Sequence, residues 1–172
     1  MTAQLGFGAA GGGEDRGAVF SECGRYRYVL WRSWNPVAPT AAFVGLNPST
    51  ADASVDDPTI RRCKGFARDW GYGGLVMLNL YAFVTSFPGR LALADDPVGP
   101  ENDEHLRARA ASAGIVIAAW GAFKQTGARV SAVLELVGGE LHCLRLNRDG
   151  SPMHPLYVPK TARPVPYEAA RG

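Results

Sequence analysis

The stretch "TAAFVGLNPST" (residues 40–50) decides the fold. Its first half is a short apolar run, as expected of a strand buried on both faces. Gly45-Leu46-Asn47-Pro48 then stops it. Pro48 has no N–H for a sheet ladder, and it biases Asn47 toward an extended backbone. A helix signal follows in "DDPTIRRCKGFARDWG" (56–71). Asp56 or Asp57 can cap it, Pro58 suits its first turn, and Gly71 suits its stop. Ile60, Cys63, Ala67 and Trp70 share one face of that helix. The unit is therefore strand, polar loop, helix.

The same unit repeats along the chain. "GLVMLNLY" (74–81), "IVIAAWG" (115–121) and "ELHCLRLN" (140–147) read as further buried strands. "ENDEHLRARAASAG" (101–114) and "AFKQTGARVSAVLELVGG" (122–139) read as the intervening helices, the second stopped by Gly138-Gly139. Alternating strands and helices predict a three-layer α/β/α sandwich with a mainly parallel four-stranded central sheet. The aromatic run "RYRYVLWRSW" (25–34) alternates, and is expected to extend one edge of that sheet. The predicted domains are a flexible Gly-rich N-terminal tail (1–18), a single α/β domain (19–167) and a short C-terminal tail (168–172). Gly6, Gly8 and Gly11 spell G-x-G-x-x-G, but the preceding strand and following helix of a dinucleotide site are missing from the pattern.

Composition narrows the function classes. Of 172 residues, 47% are hydrophobic and 20% charged, which is globular rather than disordered. A net charge of +2 neither demands nucleic acid nor excludes it. Cys23, Cys63 and Cys143 are scattered, against a disulfide framework, a zinc knuckle or an iron–sulfur cluster. No metal or cofactor is expected. No run reaches the roughly 18 apolar residues of a spanning helix, and the N-terminus lacks a signal-peptide pattern. The expectation is a cytoplasmic monomer with no membrane partner.

Ligands of open α/β sheets sit beyond the carboxyl ends of the strands. Asn47 closes the first core strand, Asn79 lies near the end of the second, Trp120-Gly121 closes the third, and the last leads to His154-Pro155. Taken singly, Asn47 fits a turn, Asn79 a structural amide, Trp120 a core residue and His154 a surface residue. Their common placement predicts one cleft with two amides and an imidazole.

At these residues the chain resembles the uracil-DNA glycosylase superfamily. "GLNPS" is similar to its first motif, "LVMLNLY" to the strand ending in a base-reading asparagine, "IVIAAWGAFKQ" to a strand ending in Trp-Gly, and "GSPMHPLY" to a shortened second motif. The resemblance covers roughly residues 40–157. "GLNPSTAD", "DDPT", "GPEND" and "HPLY" also closely resemble the DUF1643 family of bacterial proteins, a name that carries no activity. The superfamily resemblance implies a DNA N-glycosylase acting on a flipped, deaminated or modified base. Asn47 would position the hydrolytic water and His154 would stabilise the departing base. Asn79 would read the base edge, with Tyr81 or Phe83 stacking on the base. Pro48, Ser49, Pro155, Arg148, Lys160 and Arg163 would contact DNA. The chain departs from the pattern in lacking the serine of the second motif. An amide is no strong base, so Asp52 or Asp57 is an alternative carboxylate. The competing readings are an enzyme on free nucleotides or modified nucleobases, and a non-catalytic nucleic-acid binder.

Overall fold

A computed structural model describes residues 2–7, 13–49, 53–124 and 126–168. Its centre is the predicted run: β4 (Thr40–Gly45) is flanked by β5 (Gly74–Asn79) and β6 (Ile115–Ala118), both parallel to it. β7 (His142–Cys143) continues the parallel set beside β6. All six residues of β5 are buried, as a strand covered on both faces requires.

The predicted four parallel strands are the middle of a larger, mixed sheet. Eight strands among the described residues form one sheet. β1 (Thr2–Phe7), β2 (Asp15–Ser21) and β3 (Arg27–Ser33) form an antiparallel series. β3 joins it antiparallel to β5, and β8 (Val165–Pro166) adds to β7 at the other end. The spatial order is β1-β2-β3-β5-β4-β6-β7-β8. The mainly parallel four-stranded expectation is thus corrected. The aromatic strand is internal, because β2 covers what would have been its open edge. The tail expected over 1–18 holds β1 and the start of β2, and the boundary at 19 falls inside β2. Glycine content hid the strand pattern there: Gly17 sits in β2, paired across to Trp31. The last strand is shorter than expected, since the chain beyond Cys143 leaves the ladder.

Helices lie on both faces. α1 (Pro58–Asp69) packs Ile60, Cys63, Phe66 and Ala67 against Ala41 and Phe43 of β4. α2 (Asn102–Ser112) and α3 (Gly127–Val137) pack on each other, and bury Leu106, Ala110 and Val133 against Ala42 and Val44, the alternate residues of the same strand. Asp57 caps α1, accepting the Ile60 N–H at 2.8 Å, and Pro58 opens it. Gly138, at φ 62°, ends α3 in the left-handed region that favours glycine. No helix among the described residues is long and apolar enough to cross a membrane.

From β4 the chain crosses by α1 to β5 on one side, then by α2 to β6 on the other. β4 is therefore where the direction of winding reverses, the topological switch point at which the strands' carboxyl ends open a crevice.

Candidate functional site

The crevice holds a cavity of about 220 Å³. Asn47, Asn79, Trp120 and His154 all line it, as their order in the chain predicted. Ser49, Pro155 and Asp57 line it too.

Asn47 follows β4 in the loop that Pro48 bends. Its amide nitrogen donates to the Pro48 carbonyl at 2.9 Å and to the Thr85 carbonyl at 2.7 Å. The Thr85 N–H returns a bond to the Pro48 carbonyl at 3.0 Å. Both amide protons are thereby spent on holding two loops together. The side-chain oxygen is left as the acceptor Asn47 can offer a ligand or water.

Asn79 ends β5 and is 3% exposed. Its backbone is held from two helices. Asn102 of α2 donates to the carbonyls of Asn79 and Leu80 at 3.1 and 3.2 Å, and Arg129 of α3 donates to Leu80 at 2.7 Å. The Asn79 side-chain nitrogen is buried and makes no hydrogen bond among the described residues. A buried amide donor without an acceptor is uncommon, and a ligand that supplies the acceptor would remove its desolvation cost. Gly45 makes room for it: a Cβ there would meet the Asn79 side-chain oxygen at 2.9 Å.

His154 comes from the last loop. The Gly121 N–H donates to the Pro152 carbonyl at 3.0 Å, which ties this loop to the end of β6. His154 Nδ1 accepts the Leu156 N–H at 3.2 Å. The neutral imidazole then carries its proton on Nε2 and is a directed donor. Burial lowers the His154 pKa below its ordinary value, opposed by the nearby Asp57 carboxylate.

The candidate carboxylates separate. Asp57 lines the cleft while capping α1, and Ser49 Oγ lies 3.4 Å from its second oxygen. Asp52 lies outside the described residues. Asp56 is structural. It bonds Arg32, which is fully buried, at 2.7 Å and Lys64 at 2.9 Å. Burial pushes its carboxyl pKa up, but the Lys64 and Arg32 bonds outweigh this and hold it below the ordinary value.

The stacking aromatics are corrected. Tyr81 is buried in the core beneath α2 and α3, and Phe83 packs against Tyr26 at 6.2 Å between centroids; neither lines the cleft. Both follow β5 after the chain has passed the crevice. The aromatic wall is Trp120, set edge-to-face on Tyr167 at 5.6 Å.

The basic residues also separate. Arg148, Lys160 and Arg163 are exposed. Lys160 joins Arg61 and Arg62 around a second cavity of about 410 Å³ along α1, next to the cleft because Pro58 lines it and Asp57 lines the first. Arg148 and Arg163 line neither cavity. Pro48 contributes its carbonyl to the Asn47 bond rather than a wall of the cleft.

Two site residues escaped the sequence reading. Thr85 lines the cleft and anchors Asn47. Arg27, at the start of β3, also lines it and is 4% exposed. The signal for Arg27 was an arginine inside an apolar strand, and it acquires meaning only once β3 is internal. No group of three or more metal-ligating side chains suited to an ion occurs among the described residues.

No curated protein and no solved structure gives a significant match to the chain. The family model described as "Protein of unknown function (DUF1643)" matches residues 27–156, from Arg27 on β3 to Leu156 beside His154. The matched span takes in the cleft's lining residues, and the chain belongs to the DUF1643 family.

Proposed function

We propose that the protein is an N-glycosylase that hydrolyses the bond between sugar and base of a flipped nucleotide in DNA. One observation carries the reading: a single cleft contains an oriented acceptor at Asn47, an oriented Nε2–H donor at His154 and, at Asn79, a buried donor with no acceptor among the described residues. In this mechanism the base enters against Trp120 and presents its edge to Asn79, as enzymes acting on extruded bases require. The glycosidic bond breaks with its electron pair leaving on the base. His154 Nε2–H donates to the charge that develops there, and being neutral and preorganised it needs no proton uptake. Water held by Asn47 adds its oxygen to the sugar carbon, and its released proton ends on the departed base. Asn47 works by position, since an amide is too weak a base to take that proton early. Asp57 lines the same cleft and is a carboxylate able to assist.

The groove of Arg61, Arg62 and Lys160 supports DNA as the partner, because a backbone passing the cleft along α1 would meet three cations there. A free nucleotide is the second reading. It is favoured by the wall that Thr85, Ser86 and Pro88 raise on one side of the cleft.

The test is an excision screen on single- and double-stranded oligonucleotides carrying uracil, hypoxanthine, xanthine or 5-substituted uracils, with the released base detected directly. Release that is lost in His154→Ala is the expected result. Failure with every oligonucleotide, together with cleavage of a free nucleoside or nucleotide, would replace this reading with the second.

A further inference from the structure

The groove along α1 is more than a strip of charge. Arg61, Arg62, Gly65 and Asp69 line it from the helix, opposite Leu156 and Lys160 of the last loop, and it encloses about 410 Å³. That is more than one phosphate group fills, and within the range of sites for small organic ligands. The groove meets the cleft on both walls. Asp57 lines the cleft and Pro58 the groove, and likewise Pro155 lines the cleft and Leu156 the groove. The cations divide between two faces of α1. Lys64 and Arg68 are ion-paired with Glu14, and Lys64 with Asp56 as well. Arg61, Arg62 and Lys160 make no ion pair among the described residues. Arg61 is held by one bond, from Nη1 to the Asp56 carbonyl at 2.7 Å. Gly65 has no evident use inside the fold. It stands in the interior of α1, where glycine weakens a helix relative to alanine. A Cβ there would meet nothing within 4 Å, so no packing among the described residues calls for a glycine. Its effect is to bare the helix backbone to whatever enters the groove.

We infer that this groove is a second nucleotide subsite, which takes the unpaired nucleotide next to the one whose base enters the cleft; this rests on the DNA reading above and makes single-stranded DNA the substrate. The order of charges along α1 sets the direction. Pro58 marks the cleft end, and Arg61 and Arg62 follow within one turn, where the phosphate shared by the two nucleotides must lie. Asp69 stands about 12 Å beyond Arg61 at the helical rise, and it repels a second phosphate at the far end. The neighbouring base then lies between, flat on the bare backbone at Gly65 and against Leu156, which is 37% exposed. A base held in a duplex by its partner and its stack cannot enter such a cavity without the cost of extrusion. Gly65 is here a residue that admits the ligand and takes no part in bond cleavage.

The experiment measures binding of a labelled ten-nucleotide single strand of mixed sequence, and of its duplex, to the full chain by fluorescence anisotropy at low salt. It compares wild type with Gly65→Ala and Gly65→Leu. The single strand is expected to bind about tenfold or more tightly than the duplex, within the range for one seated base. Gly65→Leu fills the groove and should erase most of that ratio, while duplex affinity stays within about twofold; Gly65→Ala should erase part of it. Both variants should raise the urea midpoint, because each replaces glycine in a helix interior. Loss of binding in a more stable protein separates a ligand site from a structural one. Should Gly65→Leu fail to fold, Gly65→Ala and the wild-type ratio decide. Equal or tighter binding of the duplex, no binding of either form, or an unchanged ratio in a folded Gly65→Leu each overturns the inference. A single-strand preference that Gly65→Leu removes, without excision from any oligonucleotide, keeps the inference and removes the glycosylase reaction. Excision from a duplex that Gly65→Leu leaves at the wild-type rate does the reverse.

Discussion

Asn47 and Thr85 are joined by a 2.7 Å hydrogen bond from side-chain amide to main-chain carbonyl, across 38 positions of chain. The bond fixes which end of the amide faces the cleft. Asn47→Asp would set a carboxylate oxygen against the carbonyls of Thr85 and Pro48 and take the Asn47 donor from both, the Pro48 carbonyl keeping only the Thr85 N–H. The expected cost is about 1–3 kcal/mol in urea denaturation, the range for unsatisfied buried groups. Wild-type stability in this variant would mean that the amide is turned the other way. Asn47→Ala should in addition slow single-turnover excision by on the order of 10²-fold, as should His154→Ala, with little change in substrate affinity.

Gly45 and Asn79 are in near contact across β4 and β5. A methyl group at Gly45 would stand 2.9 Å from the Asn79 oxygen. Gly45→Ala should therefore turn or displace the Asn79 side chain while leaving the sheet intact. The expected phenotype is a loss of discrimination between bases that resembles Asn79→Ala. A crystal structure of Gly45→Ala with Asn79 unmoved, or unaltered base preference, would refute it.

Acidification should weaken both folding and activity through His154. Its pKa is lowered in the folded protein, so below its ordinary 6.5 the unfolded chain binds the proton more readily. The neutral imidazole's contribution is complete above that value and is lost as pH falls through the lowered folded pKa. Protonation at Nδ1 also removes the acceptor of the Leu156 N–H. Burial lowers His105 as well, with the same sign, so the measurement is the difference between wild type and His154→Asn. Below pH 6.5 the wild type should lose more stability than the variant. Parallel curves would place the titration elsewhere.

Arg32 is fully buried and bonds Asp56, which Lys64 also reaches. Removing the carboxylate by Asp56→Ala strips a buried guanidinium of an ion partner and is expected to cost about 3 kcal/mol or more. Arg32→Met should cost clearly less, since no buried charge is then left behind. The comparison needs only chemical denaturation. Equal losses would show that Arg32 contributes chiefly by packing.

The groove along α1 makes a prediction about salt. If Arg61, Arg62 and Lys160 meet phosphates, each replacement by Gln should reduce the slope of log affinity against log salt by about 0.7–0.9. Arg148 and Arg163, which line neither cavity, should change it less. A larger effect from Arg148 and Arg163 would move the DNA path to the last loop.

The parallel centre of the fold was legible in the sequence because its signals are local. "TAAFVG" and "GLVMLN" are apolar runs bounded by turn residues, and α1 has its own cap, proline and apolar face. The placement of Asn47, Asn79, Trp120 and His154 also followed, since in a parallel sheet the carboxyl end of every strand lies on one edge. The antiparallel flank was not legible in this way. Whether "DRGAVFS" is a strand depends on β3 being there to pair with it, and its glycine lowers any local preference. Arg27 inherits that uncertainty, because its place in the cleft depends on the direction of β3 relative to β5. Tyr81 and Phe83 look like cleft residues only by their distance from Asn79 along the chain, and the turn after β5 sends them into the core. The orientation of each polar group is likewise tertiary. The acceptor face of Asn47 comes from Thr85, the tautomer of His154 from Leu156, and the hold on the backbone of Asn79 from Asn102 and on that of Leu80 from Arg129. Residue types and strand ends set which groups can meet. Hydrogen bonds between segments distant in the chain decide which atoms of those groups face the ligand, because only the packed backbone brings the partner carbonyls and amides within reach.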